Sequence, residues 1–426
     1  MRPQSRAAFG NERRKITMTT QTKTTWQKVK LGDVASINPD SVGKDFTFEK
    51  ILYTDISSVG TGAADFPTEI SFSEAPSRAR RLVKDGDTIL STVRPNRRSF
   101  LYLKKPEENR VVSTGFAILR ASNEIDSRFL YYLISNQPFT DYLTLHAKGA
   151  AYPAVDEDII ANADVLIPEI KTQKQIADVL SAYDDLIENN TKRIKVLEEI
   201  AQAIYREMFT SQASKKWEVA ALRDVIDSYT GGGWGKEEPN VDHSSPAYVI
   251  RGTDIPRVTM GDISTCPLRY HTPSNLRTRA LRDGDLVFEV SGGSKGQPVG
   301  RSLLITNNLL GQFKQNVICA SFCKLIRPNQ NKISPFQLYE QILSWYENGV
   351  IEKYQVQSTG ISNFRFESFI DEEKVILPPE EIREKSDHFV SPLFDEIYSL
   401  GNQNQNLRQA RDLLLPKLVE GEVAVK

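Results

Sequence analysis

Ile176, Leu180, Tyr183, Ile187, Asn190, Ile194, Leu197, Ala201, Ile204 and Met208 follow one another at steps that alternate four and three. A seam of that kind, in which only Asn190 is polar, predicts one long helix from about Lys171 to Ser211 with an adhesive stripe along one face. At 1.5 Å per residue, about forty residues make a rod on the order of 60 Å long. Such a rod needs a partner.

The chain supplies one. A register shift of 210 residues lands on Ser386, Val390, Leu393, Ile397, Leu400, Asn404, Leu407, Arg411, Leu414 and Leu418, again mostly apolar. Val165-Leu166-Ile167-Pro168 before the first helix is matched by Val375-Ile376-Leu377-Pro378 before the second. The chain therefore contains a repeat. Pro392 and Pro416 break regular helix geometry, so the second helix is expected to be shorter and less regular than the first.

The repeat reaches beyond the helices. Trp26 followed by Leu31-Gly32-Asp33-Val34 recurs as Trp217 followed by Leu222-Arg223-Asp224-Val225, and Thr54-Asp55-Ile56 recurs as Thr253-Asp254-Ile255. Lys84-Asp85-Gly86-Asp87 recurs as Arg282-Asp283-Gly284-Asp285, and Phe116 to Arg120 parallels Phe322 to Arg327. The offset drifts from 191 to 210, as loop insertions would make it. In the first copy Lys50 to Ile56, Thr88 to Val93 and Phe116 to Leu119 are predicted strands, and Arg128 to Asn136 a predicted helix. The Asp-Gly pair before the second strand is a turn signal. The expectation is an α+β fold: a mixed α/β module of roughly 140 residues, built twice, with a pair of long antiparallel coiled-coil helices.

No apolar run approaches eighteen residues, so no membrane-spanning helix is expected. Residues 1–25 carry Arg2, Arg6, Arg13, Arg14 and Lys15 without an apolar core; a disordered leader is expected there, with Met18 as an alternative start. Cys266, Cys319 and Cys323 are too scattered for a disulfide framework and fit a reducing, cytoplasmic setting; four histidines give a zinc site little support. A formal net charge of −1 gives no overall attraction to nucleic acid, so any such binding must come from local patches.

One patch stands out. Arg78, Arg80, Arg81, Lys84, Arg94, Arg97, Arg98, Lys104 and Lys105 crowd one segment against only Asp85 and Asp87, as phosphate neutralisation requires. Arg94-Pro95-Asn96-Arg97-Arg98-Ser99 sits just past a predicted strand, and arginine and asparagine grip guanine and adenine bidentately. The bland counterpart is a solvated, salt-bridged face. The equivalent loop in the second copy, Ser291-Gly292-Gly293-Ser294-Lys295-Gly296-Gln297 leading to Arg301, combines free backbone N–H groups with donors from Ser294, Lys295, Gln297 and Arg301. It lacks the phosphate-loop pattern, as does Gly231-Gly232-Gly233-Trp234-Gly235-Lys236, which reads as a flexible loop. Lys148-Gly149-Ala150-Ala151-Tyr152-Pro153 and Ser358-Thr359-Gly360-Ile361-Ser362-Asn363 precede the helices; Lys148, Tyr152, Ser358 and Asn363 suit either DNA contact or plain connection. No catalytic constellation emerges. Asn38-Pro39-Asp40 does not fulfil the Asn/Asp-Pro-Pro-aromatic loop of adenine methyltransferases, and His146, His243, His271 and His388 lie in unrelated surroundings.

Taken together, these residues resemble the specificity subunit of type I restriction-modification systems, over nearly the whole chain from Trp26. The stretches that carry the resemblance are Leu166-Ile167-Pro168, Gln173-Lys174-Gln175-Ile176, Ile187-Glu188-Asn189-Asn190-Thr191, Phe209, and Leu414-Leu415-Pro416-Lys417-Leu418 with Gly421-Glu422. Glu380-Glu381-Ile382-Arg383 departs from the glutamine-rich entry of the first helix. The resemblance implies target-recognition domains at 26–168 and 213–378 and conserved helical regions at 169–212 and 379–426. Each domain would read half of a split double-stranded DNA target, at least one DNA turn of about 34 to 36 Å apart. Two methyltransferase subunits and the restriction/translocation subunits would be partners, with S-adenosylmethionine and ATP/Mg on those partners only. The chain itself would be non-catalytic and hold no cofactor or metal. The helix-pair interface would comprise Ile176, Leu180, Ile187, Asn190, Ile194, Leu197 and Ile204 against Val390, Ile397, Asn404, Leu407 and Leu414, with the two asparagines fixing register. The competing readings are a coiled-coil scaffold whose modules bind proteins or glycans, and a self-sufficient nuclease or methyltransferase.

Overall fold

The computed structural model describes residues 26–43, 45–211, 216–292, 298–358 and 361–425, so the expected leader and Met18 lie outside the described residues. The chain divides into two compact units: residues up to Asp185 together with those from Gln409, and Leu186–Arg408. The division falls inside both long helices, whereas the domain boundaries expected from sequence lie at their ends.

In the first unit Ala35–Ile37, Phe116–Ala121, Thr88–Ser91 and Phe100–Tyr102 lie side by side in that order, every pair antiparallel. A second sheet runs Thr68–Ser71, Lys50–Thr54, Arg110–Ser113, Ala79–Leu82, with its central pair parallel. An antiparallel ribbon of Gln27–Lys30 and Asp164–Ile167 joins the two ends of the module. Phe116 to Leu119 is buried without a break, which accounts for its unalternating apolar run. The predicted helix appears at Ser127–Ser135, where Asp126 caps it by accepting the Arg128 and Phe129 N–H groups at 3.0 Å each. It buries Phe129, Leu130 and Leu133 against the sheet.

The second unit repeats the plan. Ile226–Gly231, Cys323–Pro328, Leu286–Glu289 and Ser302–Leu304 form a sheet with the same order and directions. Ser245–Ile250 lies parallel to Asn316–Cys319, and Glu218–Ala221 with Lys374–Leu377 makes the closing ribbon. A buried clamp sits at the same place in both sheets. Arg120 donates from Nε and Nη2 to Asp87 at 2.7 Å each, and Arg327 donates likewise to Asp285 at 2.8 Å each. Asp87 and Asp285 also accept the Lys84 and Arg282 N–H groups at 2.7 Å, which ties the Asp-Gly turns to the sheets. Strand register aligns Leu119 with Ile326 and Phe116 with Cys323, because these residues face Thr88 and Leu286, and Ser91 and Glu289. The sequence match of Phe116 with Phe322 is thus displaced by one residue; the position equivalent to Phe322 is Gly115.

The first long helix is Ile170–Tyr205, 36 residues, continued by a wider π-type turn over Arg206–Ser211. The second, Glu380–Val419, runs 40 residues as one unbroken α-helix, nearly the length of the first with its π-type continuation, so the expectation of a less regular helix is corrected. Proline removes one N–H each time, and the carbonyls thereby left without a partner belong to His388 and Asp412, both exposed to water. In the first unit Ile176 and Leu180 are buried with Leu415 and Leu418, Leu414 packs beside them, and Arg411 pairs with Asp184 at 2.5 Å. In the second unit Ile194 and Ala201 share a core with Val390, Phe394, Ile397 and Leu400, with Leu197 and Ile204 at its edge. There Asn190 donates to Asn404 at 3.0 Å and Arg193 pairs with Glu396 at 2.7 Å, so contacts descend one helix while they climb the other: the pair is antiparallel. Ile187 and Leu407 are half-buried in the same unit. No helix among the described residues is long and apolar enough to cross a membrane.

Candidate nucleic-acid interface

In the first unit two loops distant in sequence meet. Val93 bridges Ala154, Lys148 bridges Ala154 as well, and the Arg94 N–H donates to the Pro153 carbonyl at 2.7 Å. The Arg94 guanidinium lies over the Tyr152 ring, 4.8 Å from its centroid, a cation–π contact on a half-exposed aromatic. The intervening turn is one 3₁₀ segment, Pro95–Arg97, bracketed by Arg94 at φ 49° and Arg98 at φ 55°. Two non-glycine residues in the left-handed region cost of order 1–3 kcal/mol each and need support from their surroundings. Arg98 receives it: its guanidinium donates to Gln137 Oε1 at 2.7 Å and to the Ser135 carbonyl at 2.8 Å, and its own carbonyl accepts from Thr61 at 2.9 Å. Arg98 therefore anchors the turn, with Ser99 half-buried behind it. Asn96 and Arg97 stand exposed at the tip, and Arg97 makes no ion pair among the described residues.

Four of the nine bases in the wider patch are paired with acids from elsewhere in the chain. Arg78 lies 3.6 Å from Asp55, Arg81 3.0 Å from Glu157, Lys84 2.9 Å from Asp40 and Lys104 3.3 Å from Asp185. Lys84 and Arg120 together hold the Asp40 carboxyl below the usual carboxylate range, with the Arg120 hydrogen bond the larger cause. Arg80 donates to the Ala79 carbonyl and lies over Phe72. Lys148 pairs with Asp156 at 3.2 Å on the surface. What remains as a compact group of outward donors is Arg94, Asn96 and Arg97 beside Tyr152.

The second unit joins the corresponding loops. Ser291–Gly292 pairs with Ile361–Phe364, which in turn pairs with Gln355–Ser358, and Ser291 Oγ donates to Asn363 Oδ1 at 2.8 Å. Ser294, Lys295 and Gln297 lie outside the described residues, as does the Ser358 side chain. Arg301, expected among the DNA donors, is engaged inward: its Nε and Nη2 donate to the buried Glu289 at 2.8 and 2.6 Å. That bond is the main cause holding the Arg301 guanidinium more firmly charged than usual.

Sequence reasoning passed over two features of this edge. Phe322 is 59% exposed, and its carbonyl accepts the Val290 N–H at 2.9 Å, as the Gly115 carbonyl accepts that of Thr92 at 2.9 Å. Trp234, in the glycine run read as flexible, is covered by the Arg269 guanidinium at 4.3 Å, and Arg269 in turn pairs with Glu237 at 2.7 Å. Alignment of the modules on Arg120 and Arg327 is the signal that finds Phe322. Among the described residues no group of three or more His, Cys, Asp or Glu side chains is arranged to hold a metal ion. Burial pushes the Cys266 and Cys319 thiols up to about 12, which removes them as nucleophiles.

Comparison with known proteins fits this geometry. Residues 23–199 match the family model described as type I restriction modification DNA specificity domain. The type I restriction enzyme MjaIX specificity subunit of Methanocaldococcus jannaschii is 24% identical over 372 residues, which cover 80% of this chain and 78% of that one. The HindI specificity subunit of Haemophilus influenzae is 28% identical over 207 residues, 47% of this chain and 44% of the other. A crystal structure of the type I restriction-modification system S subunit from M. genitalium shares the fold with a TM-score of 0.55 at 12% identity, covering 97% of this chain and 98% of that one. Over residues 23–199 the chain thus matches the type I restriction modification DNA specificity domain, and over 80% of its length it is similar to a type I restriction enzyme specificity subunit.

Proposed function

We propose that this protein is the non-catalytic DNA-recognition subunit of a type I restriction-modification complex in the cytoplasm, each module reading one half of a bipartite double-stranded target. The observation that carries the reading is the duplication itself: two sheets of identical strand order, clamped by the same Asp–Arg pair, each bring the same two loops to one edge. Two like readers on one chain suit a target in two parts. In the first module Arg94, Asn96 and Arg97 would reach the DNA with Tyr152 and Lys148 beside them. In the second, Asn363 and the loop carrying Ser294, Lys295 and Gln297 would do so. Arg78, Arg80, Arg81 and Arg98 would hold the reading surface in shape.

The long helices would carry two methyltransferase subunits, which bring S-adenosylmethionine, and the restriction/translocation subunits, which bring ATP and magnesium. Purified chain together with its methyltransferase partner is expected to bind duplex containing the methylated genomic site, with affinity falling steeply as salt rises, by about 0.9 in the logarithmic slope per phosphate contact. Affinity that does not respond to salt, or equal affinity for duplexes lacking the site, overturns the reading.

A further inference from the structure

Phe322 lies on the turn between the strands Asn316–Cys319 and Cys323–Pro328, with its ring 59% exposed. A single exposed apolar side chain is ordinary on a protein surface. Two observations set this one apart. The turn is fixed from both sides: the Ala320 N–H donates to the Ile250 carbonyl at 2.8 Å and that of Cys323 to the Ala320 carbonyl at 2.9 Å, while Gly232 and Gly233 donate to the Cys323 and Cys319 carbonyls at 3.0 and 2.9 Å. A Cβ at Gly232 would stand 2.1 Å from the Cys319 carbonyl oxygen, so only glycine permits that approach. The turn also abuts the loop proposed to face DNA, because the Phe322 carbonyl accepts the Val290 and Ser291 N–H groups at 2.9 and 3.2 Å. Ser291 in turn donates to the exposed Asn363. Of the two exposed aromatics at this edge, Trp234 is covered by the Arg269 guanidinium, whereas Phe322 meets no ring and no cation among the described residues. A large apolar group is thus held bare and in a fixed place at the reading edge, and preorganisation of that kind lowers the cost of binding.

We infer that Phe322 is a specificity-determining residue of the second module, its ring packing on the C5-methyl group of a thymine in the major groove. This rests on the DNA-recognition reading above and names one contact within it. A phenyl ring has neither donor nor acceptor, so it cannot read the hydrogen-bonding pattern of a base edge. The thymine methyl is the apolar mark that the major groove presents, and it distinguishes that base from the other three. Insertion of the ring between base steps is the poorer fit, since it must also unstack and kink the duplex, a cost that groove contact avoids. The first module has Gly115 at the equivalent position, its carbonyl accepting the Thr92 N–H, and offers the donors Arg94, Asn96 and Arg97 close by. The two halves of the target are therefore read by different chemistry, donors in one and an apolar ring in the other.

The test is competition binding by the full chain with its methyltransferase partner, on duplexes that carry the methylated genomic site and have each thymine replaced in turn by uracil, which lacks only the methyl. In the native complex, uracil at one thymine of a single half-site is expected to weaken binding about fourfold, the worth of one methyl group withdrawn from water. Phe322→Gly should bind the thymine and uracil duplexes at that position equally. Phe322→Leu keeps an apolar side chain on the turn and should keep a preference for thymine, which guards against a loosened turn in the glycine variant. Arg97→Ala weakens binding through the other module and should retain the full thymine-to-uracil ratio. Indifference of the native complex to every uracil overturns the inference, as does the same response in the native and Phe322→Gly complexes. Failure of the native complex to prefer site-bearing over site-free duplex overturns the DNA-recognition reading itself, and this inference with it, so the two failures are told apart.

Discussion

The two modules share a frame and differ at what the frame presents. Both have the same four-stranded sheet and the same Asp–Arg clamp. At the position of Gly115 the second module carries an exposed Phe322, and where the first has Ser91 the second buries Glu289 against Arg301. Between the closing turns and the parallel strands the first module has the strand Ala79–Leu82. The second has instead the helix Pro273–Arg279, capped by Thr272 and started by Pro273. The invariant parts are buried and hydrogen-bonded; the divergent parts lie at edges, where a substitution costs the fold little. Such a division lets one scaffold carry two different surfaces.

Removal of the clamp should hit both modules alike and hardest. Asp87→Ala and Asp285→Ala each leave an arginine without its buried partner, and each is expected to lose about 3–5 kcal/mol in urea unfolding. A much smaller loss for one of them breaks the equivalence.

Next comes a feature that only the second module has. Raised to about 8 from an ordinary 4.5 by burial, with Glu347 and Glu198 adding to the effect and Arg206 opposing it, Glu340 holds its proton more tightly folded than unfolded. The stability this gives is fully present below pH 4.5 and is withdrawn as pH rises towards 8. Unfolding free energy is expected to fall by on the order of a few kcal/mol over that window, and Glu340→Gln should flatten the curve. An unaltered pH profile in that variant rejects the assignment.

Arg97 and Arg301 occupy comparable stretches of sequence yet opposite surroundings. Arg97→Ala should cost about 1–3 kcal/mol of site-specific DNA affinity and leave unfolding unchanged. Arg301→Ala should destabilise the second unit, by leaving Glu289 buried alone, without altering the salt slope of binding. A swap of these outcomes reverses which arginine faces DNA. The smallest change is Phe322→Gly, the residue its counterpart carries: stability is expected to shift by less than about 0.5 kcal/mol. DNA affinity should fall if the ring packs on the duplex, and competition with half-site oligonucleotides measures which half is affected.

The helices were legible in the sequence because a period of 3.5 survives any context that buries one face. The asparagines fell in register for the same reason, and they meet each other. The uninterrupted second helix was not legible, since whether proline stops a helix depends on whether water reaches the carbonyl it strands at His388 and Asp412. The candidate interface was half legible. Arg94 and Tyr152 were singled out separately, but their contact depends on the Val93–Ala154 bridge, which no local pattern encodes. The basic segment looked larger than it is, because Asp55, Glu157, Asp40 and Asp185, which pair with four of its nine bases, come from other parts of the chain.

The amide pair of Asn190 and Asn404 has a consequence for how such a chain can change over evolutionary time. Sliding one helix by a heptad would part the two amides, at about 1–3 kcal/mol for each group left unbonded. An insertion in one helix must therefore be answered in the other, and growth or shortening can proceed only in matched steps. The molecule has in effect a vernier with a single mark, readable at one setting alone.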